Sequence, residues 1–132
     1  MCSSDLVSSI AGVAATPRVG AYAATKFALE AMSQALRAEL HASGVAVLVA
    51  RPGPVLTRFR RNAALGPTDP GFHEDANRQS PDAVAEAIVA ATFARKAELE
   101  TSRFVRASSL LARWAPAVFR RVTARMARRY GL

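Results

Sequence analysis

Tyr22 and Lys26 stand four residues apart in Ala21-Tyr22-Ala23-Ala24-Thr25-Lys26-Phe27-Ala28-Leu29. Four residues is about one helical turn, so in a helix the phenol and the ammonium share a face. An ammonium held beside a phenol favours the phenolate, and a phenol so placed can donate and accept a proton near neutral pH. Ser9 precedes Tyr22 by thirteen residues, in Val7-Ser8-Ser9-Ile10-Ala11-Gly12, and Pro52-Gly53-Pro54-Val55-Leu56-Thr57 begins thirty residues after it. Each piece also has a plain structural reading. Tyr22 can be a packed helix residue, Lys26 a solvated charge, the serines a strand-end turn, and Pro52-Gly53-Pro54 a chain break.

The elements that would position these groups follow from periodicity. Val7–Ser9 reads as the end of a strand, and Gly12 to Gly20, with Pro17, as a loop. A helix is expected from Ala21 to Ala42. Its apolar face is read as Ala24, Phe27, Ala28, Ala31, Met32, Ala35, Leu36 and Leu40, with Gly44 as a left-handed terminator. Val45 to Ala50 is uniformly apolar, as a parallel strand covered on both faces should be. Reactive loops belong at the carboxyl ends of such strands, where Ser9 and Pro52-Gly53 both fall.

Residues 57–80 read as a long loop containing Arg58, Phe59, Arg60, Arg61, Phe72 and His73. Ser80-Pro81-Asp82 starts a helix that runs to about Lys96, with Val84, Ala85, Ile88, Val89 and Phe93 on its apolar side. Residues 98–105 are a candidate last strand. Ala107 to Tyr130 reads as helical, with Pro116 kinking one helix or starting another.

Taken in order and at these separations, Ser-Ser-x-Ala-Gly, Tyr-x-x-x-Lys and Pro-Gly-x-Val-x-Thr resemble the C-terminal half of the short-chain dehydrogenase/reductase family, over residues 7–57. The resemblance implies an α/β fold, a partial Rossmann-like doubly wound parallel sheet. It also implies NAD or NADP as cofactor and hydride transfer on a small-molecule carbonyl or alcohol substrate. Under it, Ser9 would bond the substrate oxygen, Tyr22 would pass the proton, and Lys26 would favour the phenolate and hold the nicotinamide ribose. Pro52 and Gly53 would shape the loop beside the nicotinamide. The Val55 backbone and the Thr57 hydroxyl would hold the carboxamide and the neighbouring phosphate. The family's Gly-rich turn, its Asn-Asn-Ala-Gly segment and the Asn upstream of its Ser are not present in this sequence.

The expected organisation is therefore a non-native leader at 1–6, a C-terminal catalytic half at 7–100, and a basic amphipathic helical tail at 101–132. Met1 to Leu6 does not read as a buried apolar strand, and without earlier strands the Val45–Ala50 strand is expected to lose partners. A chain lacking the nucleotide-binding half is expected to bind nicotinamide cofactor poorly and turn over little.

Composition bounds the rest. Half the 132 residues are apolar, enough for one domain with a core. One cysteine, Cys2, fits a reducing, cytoplasmic compartment. Neither His41 nor His73 has a ligand partner at useful spacing, so no metal is expected. The net charge of +8 belongs to the tail: residues 101–132 hold eight Arg and no acid, whereas residues 1–100 balance ten bases with ten acids. Residues 107–130 suit contact with an anionic membrane surface, and no nucleic-acid motif accompanies the charge. The full-length protein is expected to be a homo-oligomer. A rival reading is a non-catalytic module that pairs subunits through the Ala21–Ala42 helix and rests on membrane.

Overall fold

The computed structural model describes residues 3–59, 78–129 and 131. Strand β1 (Ser3–Val7) leads to helix α1 (Gly20–Glu39), and strand β2 (Ala46–Arg51) follows. Helix α2 (Pro81–Phe93), strand β3 (Glu98–Glu100), helix α3 (Arg103–Trp114) and helix α4 (Pro116–Arg129) complete the described elements. The sheet is three-stranded in the order β1-β2-β3, with both pairings parallel.

Met1 to Leu6 does not read as a buried apolar strand, and within it Ser3 to Leu6 nevertheless join the sheet as part of β1. Ser3–Val7 pairs in register with Ala46–Ala50, from Ser3 opposite Ala46 to Val7 opposite Ala50. Its mixed composition suits an edge strand, whose five residues alternate between exposed and half-buried. The expected loss of partners by the Val45–Ala50 strand is corrected. That strand runs Ala46–Arg51 and is central, with β1 on one side and β3 on the other. Val47 to Ala50 are all buried, which is why their run is apolar without alternation.

Side chains alternate across β2, so Val47, Val49 and Arg51 face one way and Leu48 and Ala50 the other. Glu30 of α1 bonds Arg51, which puts α1 on the first face. Thr92 of α2 bonds Asp5, the register partner of Leu48, which puts α2 on the second. Helices on both faces of a parallel sheet make the architecture doubly wound.

The apolar face read for α1 is also corrected. The helix turns Ala23, Glu30 and Ser33 inward, while Phe27 and Met32 remain 45% and 56% exposed. The polar inward residues each have a partner: Glu30 has Arg51, and the Ser33 hydroxyl donates to the Leu29 carbonyl. Hydrogen bonding and ion pairing decide which side of α1 meets the sheet. The Ala/Phe/Met side is left bare within this chain. On α2 the buried residues are Val84 and Ala91, and Phe93 is 73% exposed.

Several boundaries differ from the periodic reading. Helix α1 stops at Glu39, and a short 3₁₀ turn at His41–Ser43 leads to Gly44, whose φ of 68° supplies the left-handed terminator. The last strand is three residues long. Arg103 to Val105 belong instead to α3, because the Ser102 hydroxyl accepts from the Val105 N–H and starts a helix there. Ser80 caps α2 the same way through the Ala83 N–H, with Pro81 at the first position, and α2 ends at Phe93. Pro116 begins α4 as a separate helix. Most of the long loop expected at 57–80, including Arg60, Arg61, Phe72 and His73, lies outside the described residues.

Candidate functional site

Tyr22 and Lys26 lie in the first two turns of α1. The Lys26 ammonium sits 5.7 Å from the centroid of the Tyr22 ring, as their spacing predicts. Its Nζ donates to the Val7 carbonyl at 3.1 Å, which pins the lysine at the carboxyl end of β1. The Phe59 ring lies 5.7 Å from the other neighbour in this group, the Tyr22 ring, at 53°. The Tyr22 hydroxyl makes no hydrogen bond among the described residues.

Ser9 follows β1 directly. The ladder continues past the strand, with the Ser8 N–H on the Ala50 carbonyl and the Ile10 N–H on the Pro52 carbonyl. This ties the serine turn to the Pro52 loop. The Ser9 oxygen accepts from the Ala11 N–H at 3.2 Å and caps a 3₁₀ turn at Ile10–Gly12, leaving its own proton to donate elsewhere. Gly12 presses that turn onto α1. A Cβ at Gly12 would lie 2.7 Å from the Ser8 Oγ and 3.0 Å from the Lys26 carbonyl oxygen. The buried Ser8 hydroxyl has no hydrogen-bond partner among the described residues.

The Pro52–Thr57 loop leaves β2. Gly53 is required by close approach, since a Cβ there would lie 2.8 Å from a methyl of Val105. Val55 forms an isolated parallel bridge with Gln79. The Gln79 N–H donates to the Pro54 carbonyl, and the Leu56 N–H donates to the Gln79 carbonyl. The Gln79 side chain donates to the Thr101 carbonyl and accepts from the Thr101 hydroxyl. Gln79 therefore joins the loop to the β3–α3 junction, a role that no sequence signal marks. The Thr57 oxygen accepts from the Phe59 N–H at 3.3 Å.

Below the loop lies an ion cluster that sequence reasoning missed. Arg51, with 2% of its side chain exposed, bonds both Glu30 oxygens at 2.9 and 2.7 Å and the Glu98 carboxylate at 2.8 Å. Glu100 lies 3.9 Å away. Burial works against the Arg51 charge, yet hydrogen bonds and attraction from Glu30 and Glu98 outweigh it, so the guanidinium titrates above the usual arginine range. The hydrogen bond from Arg51 lowers the Glu98 pKa; partial burial opposes this, and the charges of Arg51, Arg113 and Arg37 add to it. The available signals were an arginine closing an apolar strand and a glutamate in the middle of a small-residue helix.

Among the described residues no cluster of three His, Cys, Asp or Glu could hold a metal, and no helix is long and apolar enough to cross a membrane.

The parallel sheet, the helices on both faces, and the Ser9 turn and Pro52–Thr57 loop at the carboxyl ends of β1 and β2 define a Rossmann-like α/β protein. Residues 6–67 match the short chain dehydrogenase family. The uncharacterized oxidoreductase YbbO of Escherichia coli (strain K12) is 54% identical over 57 residues, 43% of this chain and 21% of that protein. The NADPH-dependent 3-dehydrocapnine reductase of Ornithobacterium rhinotracheale is 43% identical over 60 residues, covering 46% of this chain and 21% of its own length. A short chain dehydrogenase from Burkholderia cenocepacia, solved in complex with NADP, superposes with a TM-score of 0.72 at 24% identity. That superposition covers 90% of this chain and 46% of the other. Together these likenesses support a short-chain dehydrogenase/reductase family protein.

Proposed function

We propose that this chain contributes the proton-transfer half of an NAD(P)-dependent oxidoreductase acting on a small-molecule carbonyl/alcohol pair. The observation that carries the reading is the Lys26 ammonium beside the Tyr22 ring, bonded to the end of the strand that precedes Ser9. In this reading the Ser9 hydroxyl donates to the substrate oxygen. Tyr22 transfers a proton at that same oxygen, and Lys26 stabilises the phenolate left behind.

The residues present fit the nicotinamide end of the cofactor. The Val55 N–H makes no hydrogen bond among the described residues, which suits a carboxamide oxygen, and Lys26 has donors left for ribose hydroxyls. Thr57 and the Pro52-Gly53 turn border the same place. A bound nicotinamide would supply or take the hydride at the substrate carbon. Phe59 packs on the Tyr22 ring and covers part of its surface. In the same reading the bare Phe27/Met32 side of α1 meets a second subunit, and the protein works in the cytoplasm.

The test is NAD(P)H-linked turnover of a panel of aldehydes and ketones by this chain, alone and extended by any open frame that precedes it. Turnover that Tyr22→Phe abolishes, with the far-ultraviolet circular dichroism unchanged, supports the reading. Turnover that survives Tyr22→Phe at full rate refutes it.

A further inference from the structure

We propose that α3 and α4 form a membrane-surface element whose outer face rests on a bilayer containing anionic lipid. Residues 101–132 carry eight arginines and no acid. On α3, Val105 and Ser109 point into the protein. Arg103, Leu110 and Trp114 recur at helical spacing along the exposed side, with Arg106 and Arg113 beside them. On α4 no residue is buried; Val118 and Val122 are exposed, and Arg125 and Arg129 continue their row. Trp114 stands at the corner between the two helices and is 78% exposed.

Each of these features fits a lipid interface. Arginine stems can lie along apolar surface while their heads reach phosphate, and indole prefers the level of lipid headgroups. Among the described residues, Arg120, Arg121, Arg125 and Arg129 make no ion pair, so their charge is available to an anionic partner. A second copy of this face would set arginine against arginine. A nucleic acid backbone would neutralise the arginines but offer little to Leu110 and Val118. An anionic bilayer answers both the charge and the apolar row.

Trp114 is the sole tryptophan, so its emission reports the environment of this corner. The full chain is titrated with vesicles of phosphatidylcholine alone and of phosphatidylcholine mixed with phosphatidylserine. The expected result is a blue shift with the mixed vesicles, at least about tenfold tighter than with the neutral ones and weakening as salt is added. Arg120→Gln/Arg121→Gln/Arg125→Gln, all on the exposed surface, should reduce mixed-vesicle affinity by about tenfold or more with unchanged circular dichroism. Equal affinity for both vesicles, or no shift with either, overturns the proposal. So does a blue shift that grows with protein concentration in the absence of lipid, which marks self-association. Tighter binding to a short DNA duplex than to mixed vesicles also overturns it.

Discussion

Arg51 leaves the end of β2 and meets carboxylates from two other elements, Glu30 on α1 and Glu98 on β3. A buried pair of this kind is weak evidence of net stabilisation, but removing one partner strands the other charge. Glu30→Ala leaves Arg51 with Glu98 as its remaining close partner, and should destabilise the chain by about 1.5–3 kcal/mol, read as a drop in the urea midpoint. Glu98 gives a pH dependence of known sign. Its folded pKa lies below the ordinary value of 4.5, so its contribution is present above that value and is lost as pH falls through the lower, folded one. The urea midpoint should fall on acidification from about pH 5, and Glu98→Gln should flatten that fall. Glu98 is 42% exposed, so solvent screening keeps its contribution well below that of Glu30.

At the scale of elements, caps decide where helices begin and polar pairing decides how they face. Ser80 and Ser102 each accept from the N–H three residues on, and α2 and α3 start at the next residue in each case. Ser80→Ala should cost about 1 kcal/mol, seen as a lower thermal midpoint, because it frees one N–H at a helix start. The Ser80-Pro81-Asp82 signal was plain in the sequence, being local chemistry with a fixed geometry. The facing of α1 was not legible, because alanine, phenylalanine and methionine on one side imitate a core stripe. Only the distant Arg51 explains why Glu30 turns inward, and a pairing across twenty-one residues leaves no periodic trace. Likewise, α3 begins where a strand was expected, since Ser102 caps it within a short run of ambiguous residues.

Across the whole molecule, burial is concentrated in β2 and thins towards the C-terminus. Five consecutive β2 residues, Val47 to Arg51, are buried, whereas α4 has none. Native-state hydrogen exchange should therefore show the slowest amides in Val47–Ala50 and the fastest helical ones in α4. The doubly wound architecture was readable because an unbroken apolar strand between helical segments has few alternatives. The Tyr22–Lys26 pairing was readable because both residues lie on one helix. The contribution of Ser3–Val7 was not, since an edge strand needs only half of an apolar pattern. Gln79 escaped notice because its importance lies in backbone and amide bonds to segments far along the chain.

The Arg51 cluster also gives the chain a particular response to heat. Dehydrating buried ions becomes less unfavourable on warming, while the apolar contribution per unit area levels off. The tie among α1, β2 and β3 thus takes a growing share of the work as temperature climbs. A hydrophobic replacement of Arg51 and Glu30 that matched the original in the cold would fall behind it in the warm.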